Sequence, residues 1–269
     1  MSAEIVTVTR GSSPLILSMP HPGTGVPPEV AAQLNARGKL VEDTDWHMRQ
    51  LYGFAERFAP TIVEAQLSRF VIDLNRDPAG VSLYPGQATT ELVPSTTFDG
   101  APIWQTTPGA NEIERRKAAY FQPYHTALAA EIARVKAEHG YCVLWDCHSI
   151  KSVIPRLFEG TLPTLNLGTN SGESCASSVE AAAVTAMARH PFTQIANGRF
   201  KGGWITRHYG RPSENFHALQ MEIALSAYLT DETAPWAFDA PKAAALQTAL
   251  SAIIAAALDA AKELERSRS

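Results

Sequence analysis

The sequence predicts an α/β domain built on a largely parallel or mixed sheet. Three observations carry this. Apolar strand-like runs alternate with helical segments along the chain. Hydrophobic residues make up 45% of the 269, enough to bury a sizeable core. Two of the apolar runs, SPLILSMPH and YCVLWDCHS, carry a histidine at or next to their last residue. Ligands of open α/β sheets bind beyond the carboxyl ends of strands, so the fold class already indicates where chemistry would sit.

The elements follow in order. Ser13 to His21 reads as a short buried strand running into a loop. PPEVAAQLNARG predicts a short helix ending at Gly38. In DTDWHMRQLYGFAERF, Trp46, Leu51, Phe54, Ala55 and Phe58 have helical spacing, with Asp43 or Thr44 as N-cap. Ala65 to Leu74 contains the strand-like run FVIDL. Residues 78–109 hold many Pro, Gly and Thr and little periodicity, and a loop that long in a compact domain is usually functional. Asn111 to His139 is a long helix. YCVLWDCHS is a second buried strand, PTLNLGTNSG a third strand and turn, and Val179 to Arg189 a helix. GRFKGGWITRHYG is punctuated by glycine, HALQMEIALSAYL is rich in helix and strand formers, and an alanine-rich amphipathic helix closes the chain. No repeat, linker or composition shift divides it, so residues 1–269 are read as one domain.

Composition narrows the function classes. The net charge is −4, from 23 Lys+Arg against 27 Asp+Glu, which leaves no basic surplus for nucleic acid. The first twenty residues carry no charged-then-apolar leader, and their apolar run is too short for a membrane span. Three cysteines, Cys142, Cys147 and Cys175, cannot pair completely and match no zinc-ribbon or thioredoxin spacing. The expectation is a protein of the reducing cytoplasm with neither nucleic acid nor membrane as partner.

The chemistry-bearing residues cluster at the strand ends. His21 lies between Pro20 and Pro22, on a rigid turn after a strand. Asp146 and His148 are two apart in a strand, share a face, and so could form a carboxylate-oriented histidine. EDTDWH offers Glu42, Asp43, Asp45 and His47 as a third metal ligand, since catalytic zinc sites commonly use three His or carboxylate ligands. The same cluster also suits a helix N-terminus, where the macrodipole favours negative charge. In DLNRD, Arg76 could grip a substrate carboxylate or pair internally with Asp73 and Asp77. Glu222, flanked by Met221 and Ile223, has the burial that suits a general base near neutrality, or else forms a structural salt bridge. FKGGWITRHYG could bring backbone N–H groups, Lys201 and Arg207 to an anion. There is no GxSxG, GxxxxGK[ST], GxGxxG or HExxH. Together these residues suggest a metal hydrolase acting on a small anion.

The ordered set MPHPGTGVP, DTDWHMRQLY, VIDLNRDP, LWDCHS, NLGTNSG, GRFKGGWITRHYGRP and HALQMEI is more specific than its parts. It resembles the N-formylglutamate amidohydrolase (N-formylglutamate deformylase) family of histidine degradation, over about Pro14 to Tyr228. The resemblance implies kinship with zinc carboxypeptidases and aspartoacylases. It thus implies a three-layer α/β fold whose mixed, mostly parallel sheet of eight strands lies between helices. It implies one Zn²⁺ held by His21, His148 and a carboxylate. The wider group places its acid soon after the first histidine, whereas HPGTGVPPE offers none before Glu29. The third ligand is therefore assigned to Asp45, with Asp43 and His47 as rivals. The expected catalytic residues are Glu222 as general base and Arg207 for the oxyanion. The expected substrate-binding residues are Asn75, Arg76, Ser149, Lys201 and Gly203, with Arg69 and Arg211 as further cations. The implied substrate is a small anionic N-acyl amino acid, N-formyl-L-glutamate, cleaved to formate and glutamate. The alternatives are deacylation of another N-acyl amino acid and a non-catalytic amino-acid-binding role; the latter would not need the base Glu222.

Overall fold

Three central segments are buried along almost their whole length, so they become the inner strands of a sheet covered on both faces. The computed structural model describes residues 4–83 and 85–268. Its sheet has seven strands among the described residues: β1 (Val6–Thr9), β2 (Leu15–Met19), β3 (Thr61–Ala65), β4 (Cys142–Ile150), β5 (Leu165–Gly168), β6 (Gln194–Ala196) and β7 (Phe216–Ala224). Their order is β1-β3-β2-β4-β7-β5-β6. β3, β2, β4 and β7 are parallel, as are β5 and β6, while β1 and β5 run antiparallel to β3 and β7. The sheet is mixed and mostly parallel as expected, with seven strands in place of the eight that the family resemblance implied.

Helices make the two outer layers. On one face Leu15, Leu17, Met19, Trp145, Cys147 and Met221 pack against α2 (Met48–Leu51), α5 (Ser177–Met187) and α7 (Ala240–Arg268). On the other, Ile16, Leu144 and Ala218 pack with Tyr124, Leu128, Ile132 and Val135 of α4 (Gln122–His139). α7 is long and apolar enough to cross a membrane by length and composition alone. Its Leu246, Leu250, Ile253 and Ala257 recur every three to four residues and lie fully buried in the core, as a core helix requires.

Several expected elements differ in detail. The helix predicted after Pro27 is one turn, α1 (Pro28–Ala31). The helix expected from Asp43 or Thr44 begins only after His47, which has φ 55°, and neither residue caps it. It continues as a 3₁₀ turn over Tyr52–Phe58. The run FVIDL is not a strand. Ser68 Oγ accepts from the Phe70 N–H at 3.2 Å and Asp73 Oδ1 from the Asn75 N–H at 2.9 Å, so local side chains satisfy a backbone that a sheet would otherwise pair. The actual strand, β3, ends at Ala65. The long helix over 111–139 is interrupted by a π turn, Lys117–Phe121, between α3 (Ala110–Arg116) and α4. Pro123 lacks an N–H and its ring crowds the carbonyl four residues back, which the wider turn relieves. Residues 78–109 carry no helix or strand among those described, and Tyr84 lies outside the described residues.

Because β2, β4 and β7 are adjacent and parallel, their carboxyl ends lie side by side. That edge, on the α4 side of the sheet, holds the site.

Candidate metal centre and active site

His21 follows β2 on the Pro20–Pro22 turn, and His148 is the seventh residue of β4. The segment 41–47 brings a carboxylate between them. Val41 and His47 both adopt positive φ, 45° and 55°, which curls the segment inward, and the Asp45 N–H donates to the His21 carbonyl at 3.0 Å. Asp45 Oδ2 lies 3.1 Å from His148 Nδ1 and 3.7 Å from His21 Nδ1, and the two Nδ1 atoms are 3.3 Å apart. All three side chains are buried.

The outer nitrogens decide what this cluster can bind. His21 Nε2 is 2.8 Å from Asp73 Oδ1, and His148 Nε2 is 2.9 Å from Asp146 Oδ2. Each carboxylate can accept an Nε2 proton, the arrangement that leaves Nδ1 for a metal. With Nδ1 deprotonated, as a metal ligand must be, the two rings turn lone pairs toward each other and toward a carboxylate oxygen. Asp45 Oδ1 is also buried and has no hydrogen-bond partner. Two imidazoles and a carboxylate, with ligand atoms all within 4.8 Å of one another, can hold one metal ion. The carboxylate–histidine braces are those that orient metal-bound imidazoles.

The braces are themselves fixed. Ser18 Oγ donates to Asp146 Oδ1 at 2.8 Å, and Asn75 Nδ2 donates to Asp146 Oδ2 at 3.1 Å. Arg69 Nη2 donates to Asp73 Oδ2 at 2.9 Å. Burial opposes charge on Asp73, yet Arg76, Arg69 and His21 hold its carboxyl well below the usual range. Burial likewise opposes charge on His148, but Asp146 and Asp45 hold its imidazolium well above the usual range. The centre is thus built to carry positive charge between its carboxylates.

The rivals for the third ligand are engaged elsewhere. Asp43 Oδ2 accepts from the Phe98 N–H at 2.7 Å, His47 Nε2 lies 2.8 Å from the Trp236 carbonyl, and Glu42 pairs with Arg37.

Beside the centre, Glu222 sits directly across from His148 in the β4–β7 register. Gln220, on the same face, donates to Glu222 Oε2 at 3.2 Å. Burial pushes the Glu222 carboxyl up to about 7, with His148 pulling it down and Asp45 pushing it up. His21, His148 and Glu222 line a cavity of about 60 Å³ together with Arg69, Arg76 and Arg199. Its apolar wall comprises Phe98, Ile150, Leu157 and Phe200. A few convergent polar groups on an apolar wall are the signature of a small-molecule site.

The sequence model of N-formylglutamate amidohydrolases matches residues 13–229 of this chain. The chain belongs to the N-formylglutamate amidohydrolase family. It is 46% identical over 255 residues to an N-formylglutamate deformylase of Pseudomonas aeruginosa, covering 93% of this chain and 95% of that one. It is 41% identical over 261 residues to an N-formylglutamate deformylase of Pseudomonas putida, covering 95% and 96%. The crystal structure of N-formylglutamate amidohydrolase from Ralstonia eutropha JMP134 superposes with a TM-score of 0.78 at 24% identity, over 98% of this chain and 99% of that one. A gene product of Agrobacterium tumefaciens superposes with a TM-score of 0.72 at 18% identity, over 96% of each chain. These two likenesses concern the fold, which they share with this family member.

Of the residues expected at the site, His21, Asp45, His148, Glu222, Asn75, Arg76 and Gly203 come together. Asn75 spends its amide on the framework: Oδ1 accepts from the Ile205 N–H at 2.7 Å, and Nδ2 donates to Asp146. Gly203 is required by close approach, since a Cβ there would overlap the Asn75 side chain. Its N–H donates to Gln220 Oε1 at 2.7 Å. Three expected residues stand apart from the cavity wall. Arg207 lies on α6 (Trp204–Tyr209) with Nε donating to the Gly202 carbonyl at 2.9 Å. Lys201 is exposed. Ser149 points to the opposite face of β4 from His148, where Tyr228 donates to it at 2.8 Å. Arg211 is also exposed. The sequence reading missed Asp73 as the brace of His21, Gln220 as the partner of Glu222, and Arg199. Gln220 was findable, because it lies two residues before Glu222 in a strand and so shares its face.

Proposed function

We propose that this chain hydrolyses N-formyl-L-glutamate to formate and L-glutamate, using one Zn²⁺ held by His21, Asp45 and His148. The observation that carries the reading is the convergence of these three ligand atoms beside the buried carboxylate of Glu222. A divalent ion held there supplies Lewis-acid polarisation of the formyl carbonyl and acidification of water. The donor set of two histidines and one carboxylate suits zinc.

The chain's own groups do the rest. Glu222, with its pKa near 7, takes a proton from the attacking water and returns it to the leaving amine nitrogen. Gln220 holds one Glu222 oxygen, which steadies the carboxylate at the cavity wall. Arg69 is the cavity cation nearest the metal ligands, 3.5 Å from His21 Nε2. It takes the oxyanion role first assigned to Arg207, whose position off the cavity wall does not suit it. Arg76, beside Asn75, holds the substrate's α-carboxylate.

The test is formate release from N-formyl-L-glutamate before and after chelation, with zinc then re-added. Release that stops with chelator and returns with zinc supports the reading. Release unaffected by exhaustive chelation would remove the metal from it. No release in the presence of metal would move the substrate to another N-acyl amino acid or the protein to a binding role.

A further inference from the structure

The geometry points to Arg199 as the residue that recognises the side-chain carboxylate of the substrate, making the site selective for a dicarboxylate. This inference rests on the hydrolysis reading above and deepens it. N-formylglutamate carries two carboxylates: one next to the scissile amide, the other beyond two methylene groups. A site for it needs a cation near the metal ligands, an apolar stretch, and a second cation past that stretch.

The cavity has three arginines. Two belong to the metal end. Arg69 is buried and engages Asp73 at 2.9 Å and the Asp43 carbonyl at 3.4 Å. Arg76 sits 3.7 Å from Asp73 and adjoins Asn75, which braces Asp146. Both therefore lie among the carboxylates that hold the histidines. Arg199 does not share those partners. Its Nε donates to the Leu157 carbonyl at 2.8 Å and its Nη2 to the Ala88 carbonyl at 2.8 Å, and its guanidinium lies 5.3 Å from the Phe200 ring centroid. Leu157 and Phe200 also form the apolar wall of the cavity and pack on a separate small cluster of Phe98, Ile150, Ile154 and Leu162. Arg199 thus stands beside the Leu157 and Phe200 part of the apolar wall, anchored to the Leu157 and Ala88 carbonyls with its guanidinium over the Phe200 ring. A guanidinium positioned in this way brings a fixed positive charge to a carboxylate that reaches the end of the wall.

The bland reading is that Arg199 only holds the backbone at Ala88 in place. The two readings differ in substrate dependence. A loop tether acts on every substrate alike, whereas a carboxylate reader acts only on those carrying the carboxylate.

The experiment compares kcat/KM for N-formyl-L-glutamate and for N-formyl-L-glutamine, its neutral isostere, in the zinc-loaded wild type, Arg199→Gln and Arg199→Lys. The expected result is a loss of at least about tenfold on N-formylglutamate in Arg199→Gln, with a several-fold smaller loss on N-formylglutamine. Arg199→Lys falls between, because it keeps the charge and loses the fork. Turnover of the glutamine substrate also reports that each variant is folded. Equal losses on both substrates, or an unchanged preference, would overturn the inference. If the wild type releases formate from neither, the hydrolysis reading fails separately. Calorimetric binding of glutarate against butyrate then decides the role of Arg199: a preference for glutarate that Arg199→Gln abolishes supports it, and a preference that survives overturns it.

Discussion

His148 of β4 and Glu222 of β7 are paired residues in adjacent parallel strands. A metal-ligand position and the candidate general base are therefore set by a single sheet register. Their faces are shared by Asp146 and Gln220, two residues before each, which brace them. A one-residue slip of either strand would turn its polar pair into the apolar core and bring Trp145 and Cys147, or Met221, to the site instead.

Removing the base without disturbing the metal ligands should separate chemistry from binding. In Glu222→Gln, kcat falls by about 10²–10⁴-fold, the usual contribution of general acid–base catalysis. The zinc content of the purified variant, read by elemental analysis, stays at the wild-type level. A loss smaller than about tenfold would take proton transfer away from Glu222.

The bracing carboxylate of His21 should matter nearly as much as a ligand. Asp73→Asn replaces an acceptor of the His21 Nε2 proton and the partner of Arg69. Zinc affinity, read by competition with a chelating indicator, drops by about 10–100-fold. Unaltered affinity would show that ring orientation is set elsewhere.

Arg76 is expected to hold the α-carboxylate. Loss of a charge-assisted contact costs about 1.5–3 kcal/mol. In steady-state kinetics, Arg76→Ala therefore lowers kcat/KM for N-formylglutamate at least about tenfold. Kinetics equal to the wild type would leave Arg76 as a tether of Thr90, whose hydroxyl and carbonyl it also binds.

Acid should destabilise the protein partly through a histidine outside the cavity wall. His125 is packed among Phe121, Trp204 and Tyr209, with Nε2 at 2.9 Å from the Leu74 carbonyl. Burial pushes its pKa down to about 3, while the unfolded chain takes up the proton near 6.5. The unfolded state thus binds more protons between these values, and stability rises with pH across that window. The His125 contribution is complete above about pH 6.5 and is lost on acidification at up to about 1.4 kcal/mol per pH unit. Urea denaturation between pH 7.5 and 4.5 should show a shallower pH dependence in His125→Gln than in the wild type. Parallel slopes would contradict a neutral buried His125.

The sequence disclosed the architecture where hydrophobic runs were long. The strand ending in LWDCHS was legible because inner parallel strands are apolar on both faces, while HALQMEIALSAYL, equally apolar, left helix and strand open and forms β7. β3 was misplaced because the stronger apolar run, Phe70 to Leu74, is buried without being paired in the sheet, and its Asp73 turns back on its own backbone. Asp45 could not be separated from its neighbours by composition. The choice among four acidic or imidazole side chains depends on the positive φ of Val41 and His47, which no side-chain pattern announces. Arg199 was hidden among the other cations of GRFKGGWITRHYGR, where only tertiary structure tells a wall residue such as Arg199 from an exposed one such as Lys201.

The ring of partners around the three converging ligand atoms has a mechanical consequence. It draws together the end of β2, the 41–47 segment, the 69–75 segment and the end of β4, four stretches far apart along the chain. An ion seated there acts as a cross-link as well as a reagent. It would add about 2.7 kcal/mol to folding stability at a free concentration one hundred times its dissociation constant. Heat tolerance and turnover would then rise along the same metal titration curve, so a melting curve alone could report how fully the catalytic centre is loaded.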